Sequence, residues 1–465
     1  MSSNEAILPP SKNNESYEQE ENVDENHKNG EVSRLSYLSD TFEDEKSNKS
    51  CCERYFSPIK GGSLRGAVIS LASIVFGISG LAFPKGFDNM GLVPALILLT
   101  LLCSVTYWSL AALLQAGRKK KIMHYGLLIK ECLGNKMALM SDINNIIFCV
   151  GVLMSFEFTI SSFFFDIFGK FYTINSDNET TIKLIQMGTC MVLLQLPLSL
   201  LKDISKLQYA SMVGCFTLIY TSILIVVECP FFYQEGRKAM RPIPWFKSPS
   251  MKIFDSFSIF LYAFASHNGI FPIFDELHKP SKRRSFSVLN RAYLLEIVLF
   301  LFIGFGGFFS LLPKTPSIFI SRKDLSFSWM NFDYFMLISK CLFFITLHCI
   351  TAINNNIIRN SFKSLIFKGK DIPFKIDFIG IVVLLLVTNT ITFFIQDVLS
   401  IISVIGGICA VIVSFLSPIL CWIKANELPL SHIKNILALI LLVIIIITGC
   451  ISAGYSIYKD ITGNE

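Results

Sequence analysis

Residues Phe264 to Arg284 read FASHNGIFPIFDELHKPSKRR, and this stretch decides the fold. An apolar run is broken by Ser266-His267-Asn268-Gly269, resumes as Ile270-Phe271-Pro272, and ends in an acidic and then a basic loop. A continuous helix satisfies its own backbone in lipid. One interrupted by His-Asn-Gly and then Pro frees N–H and C=O groups, which is tolerated only where they face protein or a wet cavity. A second interruption, Phe76-Gly77-Ile78-Ser79-Gly80 before Phe83-Pro84, falls in the first apolar segment. Paired broken spans, one early in each half of a many-span chain, point to the substrate site of a secondary transporter.

Composition agrees with a membrane protein. The 465 residues are 52% hydrophobic and only 16% charged, with 42 phenylalanines, which excludes an ordinary soluble domain. The net charge of +6 hides an asymmetry: residues 1–50 hold 12 acids and 5 bases, leaving 36 bases against 23 acids in the rest. An acidic tail on a basic membrane body suggests no nucleic-acid partner, and the basic surplus suits topology and contact with the lipid bilayer. The thirteen cysteines are scattered without CxxC or Cys/His metal spacing and read mostly as small buried hydrophobes. Cys51-Cys52, just before the membrane domain, suits either acylation or a plain linker. No metal site is expected.

Residues 1–60 are expected to form a disordered, acidic, cytoplasmic tail, and residues 61–465 the transmembrane domain. Apolar segments near 66–88, 92–116, 142–169, 184–201, 207–228, 253–274, 290–312, 331–358, 376–396, 398–422 and 436–457 are each long enough to cross a ~30 Å core. Eleven spans put the termini on opposite sides. With the N-terminus cytoplasmic, the inner loops collect Arg118-Lys119-Lys120-Lys121, Lys282-Arg283-Arg284, and Arg359 with Lys363, Lys368 and Lys370. Against this bias, Arg237, Lys238, Arg241, Lys247 and Lys252 fall in an outer loop. The acceptor Asn178-Glu179-Thr180 falls outside after span three, making Asn178 the glycosylation candidate, whereas the sequons at Asn14 and Asn48 fall on the inner tail. Spans one and six then run in opposite senses, so spans one to five and six to ten can be inverted repeats with one added span.

These motifs resemble the amino acid/auxin permease family, and within it the sodium-coupled neutral amino acid transporters. That family's sixth span reads roughly F-x-x-H-x-x-x-x-P-I-x-x-E-L with a K-x-x-S-R-R-like loop. Phe264, His267, Pro272, Ile273, Glu276, Leu277, Ser281, Arg283 and Arg284 fit this pattern. Pro197 to Gly214, PLSLLKDISKLQYASMVG, is similar to the start of the family's fifth span, and Gly77 to Pro84 to its G-x-G-x-L-x-L-P. Asn389 and Ile405-Gly406-Gly407 are compatible. The resemblance covers about residues 62 to 457. It implies an all-α, leucine-transporter-like 5+5 inverted repeat plus one span, an amino acid substrate, and Na⁺ or H⁺ as coupling ion without any other cofactor. Sodium-coupled members often carry Asn where this chain has Ser73, which offers one oxygen but no amide.

An amino acid zwitterion needs donors for its carboxylate and acceptors for its ammonium. A half-helix starting near Leu81 would present free N–H groups and a positive dipole end. Carbonyls released around Phe76 and Gly77, and around Ser266 and His267, would take the ammonium or a cation. The substrate-site candidates are therefore Phe76, Gly77, Ile78, Ser79, Gly80, Ser266, His267, Asn268 and Gly269, although glycines also serve close helix packing. His267 suits either a titrating proton site or a neutral partner that pins the unwound segment. Glu157, mid-span, is a further candidate because an ionisable group at that depth is costly. It would bind a proton, meet a cationic substrate, pair with Lys340, or be held protonated by a hydroxyl, with Lys340 then snorkelling outward. Ser73, Thr346 and Thr351 are ion-site candidates, the threonines beside Asn354-Asn355-Asn356, where interhelical hydrogen bonding is the plainer role. Asp275 and Glu276 could close an inner gate with the basic loop.

The sequence thus predicts a monomeric multi-pass transporter in the plasma membrane or a vacuole- or lysosome-like membrane, working by alternating access and either ion-coupled or facilitative. The alternative is a membrane amino acid sensor with little flux. No Ser/His/Asp, HExxH or paired-carboxylate constellation suggests an enzyme, and no carbonyl filter or charged ring suggests a channel.

Overall fold

The structure, a computed structural model, describes residues 63–75, 78–173, 176–201, 204–235, 243–275, 277, 281–311, 315–322, 324–325, 333–367, 372–395 and 397–462. The tail with Cys51, Cys52, Asn14 and Asn48, and the candidates Phe76, Gly77 and Glu276, lie outside the described residues. Among the described residues there is helix and no strand. Eleven spans can be traced, ten of them as helices long and apolar enough to cross a bilayer. The first is a bent pair: Leu64–Val75, then a 3₁₀ turn Ile78–Ala82 running into Phe83–Met90, with 54° between the halves. Span six has the matching interruption. Helix Lys252–Ala263 stops, Phe264 to Ser266 are non-helical, and a 3₁₀ turn His267–Gly269 leads into Ile270–Asp275.

The other spans are Leu92–Lys120, Asn135–Phe168, Ser176–Ser199, Ile204–Glu235, Lys282–Phe309, Tyr334–Leu365, Phe374–Phe394, Val398–Asn426 and Ile433–Thr462. Spans three and eight run further than hydropathy suggests, because their polar ends Asn135–Ser141 and Asn360–Leu365 continue the helix beyond the apolar core. Asn178 sits exposed at the start of span four rather than in a free loop. A short helix, Tyr125–Leu133, joins spans two and three. The two half-helices after and before the breaks pack through aromatic rings. Phe83 lies 4.9 Å from Phe260 and 5.0 Å from Phe300, and Phe264 lies 5.6 Å from Phe300, all fully buried. Each such pair contributes about 0.5–1.5 kcal/mol beyond its area.

Span ten winds as a π-helix over Ile405–Ala410 and Ile412–Leu416. There Gly406 lies under the Ser258 carbonyl of span six, and Gly407 faces the Gly449 carbonyl of span eleven. Because those neighbours are backbone, a side chain has nowhere to go. Gly407→Val should lower stability by about 1–3 kcal/mol through overpacking. Gly454→Val, on an open face of span eleven, should leave it unchanged. Thermal unfolding of the two detergent-solubilised variants checks this.

Candidate functional site

Between spans one, three, six and eight lies a central cavity of about 30 Å³, lined by Ile74, Ser79, Phe148, Val152, Phe156, Tyr262, Ala265, Asn268 and Asn354. That is room for about one water molecule. Its polar groups come from the two breaks and from span eight: the Ser79 hydroxyl and the Asn268 and Asn354 carboxamides. Tyr262 closes one wall, its hydroxyl 3.1 Å from Ser155 Oγ. Asn268 Nδ2 donates to Asn145 Oδ1 at 3.0 Å, and Asn145 Nδ2 donates to Ser361 Oγ at 2.9 Å.

That amide chain is also the inner wall of a much larger cavity. A vestibule of about 890 Å³ reaches from exposed His124, Leu127 and Lys130 past Asp142 and Lys363 to Asn268 and Pro272. It lies at the end of the molecule that carries Lys119, Lys120 and Lys121, referred to below as the basic end. Asn268 therefore stands between the two spaces.

At the opposite end the chain is knitted by ions. The loop after span seven brings buried Phe319 and Ile320 against span one and sends Arg322 inward. Arg322 pairs with Glu228 of span five and Asp333 before span eight, and its guanidinium stacks 4.1 Å from the Phe232 ring centroid. Burial lowers the Arg322 pKa, and the two carboxylates oppose that shift. Lys340 meets Asp166 of span three at 2.9 Å, and Lys170 pairs with Asp324.

Among the sequence candidates, Ser79 and Asn268 reach the cavity. Ile78 is buried beside it in chain order, and Gly80 is filled by the Phe300 ring of span seven. Gly269 packs on Ile74, and the Ser266 carbonyl accepts from Gly269 N at 3.1 Å. His267 is fully buried with neither ring nitrogen bonded, 6.4 Å from the Phe415 ring, and does not line the cavity. Glu157 does not line it either, nor does it meet Lys340. It accepts from Gln195 Nε2 of span four at 2.6 Å, where a π-helical turn, Met191–Gln195, carries that amide. The half-helix of span one starts at Phe83, two residues beyond Leu81, because Ile78–Ala82 winds as a 3₁₀ turn first.

The ion-site candidates do not share one partner set. Ser73 Oγ donates to Ser70 O, Thr351 Oγ1 donates to Leu347 O, and Thr346 Oγ1 lies 2.8 Å from Thr217 Oγ1 of span five. Asn355 donates to Ser199 Oγ at the end of span four and Asn356 to the Leu201 carbonyl just beyond it. No group of three His, Cys, Asp or Glu is arranged for a metal ion among the described residues. The cavity wall of span three went unread in the sequence. Its signal was the four-residue spacing of Phe148, Val152 and Phe156, which an all-apolar helix conceals.

The family described as transmembrane amino acid transporter protein matches residues 60–462. The chain belongs to that family. It is 26% identical over 298 residues to vacuolar amino acid transporter 7 of Saccharomyces cerevisiae, covering 62% of this chain and 58% of that one. It is 24% identical over 386 residues to sodium-coupled neutral amino acid transporter 7 of Danio rerio, covering 79% and 80%. A putative amino acid transporter of Toxoplasma gondii matches at 27% over 273 residues, 57% of this chain but 36% of that protein. The chain thus spans well under two thirds of the yeast and Toxoplasma relatives. A solved Na⁺-coupled sialic acid symporter superposes with a TM-score of 0.51 at 14% identity, covering 84% and 89%, which establishes the leucine-transporter-like fold. These relatives are transporters, and the family is not one of enzymes.

Arg322→Ala should cost about 3–5 kcal/mol, since it strands Glu228 and Asp333 without their buried counter-charge. Lys120→Ala removes only the exposed 3.6 Å pair with Glu427 and should cost under about 1 kcal/mol. Unfolding midpoints of the solubilised variants would separate the two.

Proposed function

We propose that the protein carries amino acids across a membrane by alternating access, with the basic end cytoplasmic and the 1–60 tail on that side. One observation carries the reading: Asn268, in the break of span six, belongs at once to the central cavity and to the vestibule at the basic end. A space of about 30 Å³ is too small for an amino acid, so the central site has to widen for binding. Parting Asn268 from Asn145 merges it with the vestibule and admits the substrate from that side. Dissolving the Arg322 and Lys340 ion pairs would open the other. The names of the relatives, which include vacuolar and sodium-coupled amino acid transporters, support an amino acid as the cargo.

In this reading the amides of Asn268 and Asn354, with the Ser79 hydroxyl, meet the charged ends of the zwitterion. Phe148, Val152 and Phe156 take its side chain. A wall with no charged side chain among the described residues suits a small neutral amino acid rather than a charged one. Labelled neutral amino acids should enter proteoliposomes holding the purified protein, with Na⁺ and pH gradients imposed separately to identify the coupling ion. Asn268→Ala and Asn354→Ala should each lower that uptake about tenfold, the loss of one to two buried hydrogen bonds to a charged group. Wild-type rates in both variants would remove the site from the central cavity.

A further inference from the structure

Span seven holds a carboxyl that the transport reading above does not use. Glu296 lies near the middle of Lys282–Phe309, is 2% exposed, and has its Oε2 fully enclosed without a partner. Among the described residues it makes no hydrogen bond and no ion pair. The other buried carboxylates among the described residues are served: Glu157 by Gln195, Glu228 and Asp333 by Arg322, Asp377 by Arg359, Asp88 by Lys247, Asp142 by Ser364 and Asp255 by Ser403. Tyr293, Glu296, Phe300, Gly304 and Gly307 recur at three- and four-residue spacing and so share one face of the helix. That face meets span one, where Phe300 fills the space beside Gly80, Gly304 meets Phe87, and Gly307 meets Pro84. Glu296 lies one turn before Phe300 on this face, in a helix that packs on both Leu64–Val75 and the Ile78–Ala82 turn of span one.

Among the described residues, the groups packed around it offer no counter-charge at its level. Span one has Arg65 near one end and Lys85 and Asp88 near the other. Span two contributes the Cys103 thiol, with Tyr107 bonded to Asn290. Tyr293, on span seven itself, donates to the Cys103 carbonyl. Span five adds Cys215 and, further along, Tyr220 and Glu228, the latter held by Arg322. Span six turns Tyr262 to Ser155 and His267 to Phe415. Glu296 lines neither the central cavity, nor the vestibule, nor the small apolar gap between spans one, five, six and eight. With the side chain 2% exposed, a proton is the occupant that needs no added volume.

We propose that Glu296 is a proton-binding site in the core of the moving helices, neutral in this closed arrangement and ionised when span one shifts and water reaches it. An uncompensated carboxylate in this setting is strongly disfavoured, whereas the acid form is tolerated. The step is a simple exchange: water on one side supplies the proton that completes the carboxylic acid, and water on the other side takes it back. That directional part rests on the transport reading.

The test uses full-length protein in proteoliposomes, with a trapped pH dye and infrared difference spectra between high and low pH. Wild type should move protons when a neutral amino acid is added and should show a protonated-carboxyl band. Glu296→Gln should lose that band and cut amino-acid-driven proton movement at least tenfold, while exchange of labelled for unlabelled amino acid stays within twofold. Unchanged proton movement in the variant, or amino acid flux without protons in wild type, overturns the proposal. If wild type moves no amino acid, the transport reading falls and the spectra still decide the site: a band lost in Glu296→Gln upholds it, identical spectra reject it. Should the amide variant misfold, Glu296→Asp must shift the band, and an unshifted band is a rejection.

Discussion

A peptide group in hydrocarbon has no water to bond, and every interrupted helix in this protein is arranged around that fact. The gap at Phe264 to Ser266 is closed by short local bonds, Ser266 N to Phe264 O at 3.0 Å and Gly269 N to Ser266 O at 3.1 Å, so few groups remain for a ligand. Around it the rings of Phe83, Phe260, Phe264 and Phe300 exclude water. The polar residues that line the central space are Ser79, Tyr262, Asn268 and Asn354.

The two ends of the molecule are closed by different chemistry. One is held by buried ions, Arg322 between Glu228 and Asp333 and Lys340 on Asp166, whose separation would strand charges in a low dielectric. At the other end the break of span six is tied by neutral amides and a hydroxyl, Asn268, Asn145 and Ser361, each bond worth about 1 kcal/mol net, with the Arg359–Asp377 ion pair further toward the surface. The large cavity lies behind these neutral bonds, with Asn145, Asn268 and Ser361 in its wall.

How much of this was legible in the sequence depends on range. Spans and breaks follow from runs of apolar residues and from Gly and Pro, which act locally, so both interruptions and the order of spans could be read directly. Partners across the bundle could not. Glu157 and Lys340 invite pairing as opposite charges inside the apolar stretches of spans three and eight, yet each found another partner, Gln195 and Asp166, because helix rotation about its axis is set by packing. Asn355 and Asn356 resemble cation ligands in isolation and are interhelical ties in place. The rule that singles out Glu157, a carboxyl inside an apolar span, applies equally to Glu296, and its isolation becomes visible only once its neighbours are known.

Span eleven is fastened on two sides. Ser452 Oγ lies 2.7 Å from Ser258 Oγ and 2.6 Å from Phe254 O of span six, while Gly449 abuts Gly407 of span ten. A helix fastened to both the first half of span six and span ten ties the two together, so in the proposed cycle any tilt of span six would have to drag it along or slide across those serines. In that cycle the appended helix, outside the inverted repeat and away from the central cavity, would weigh on the pace of movement rather than on the grip on cargo.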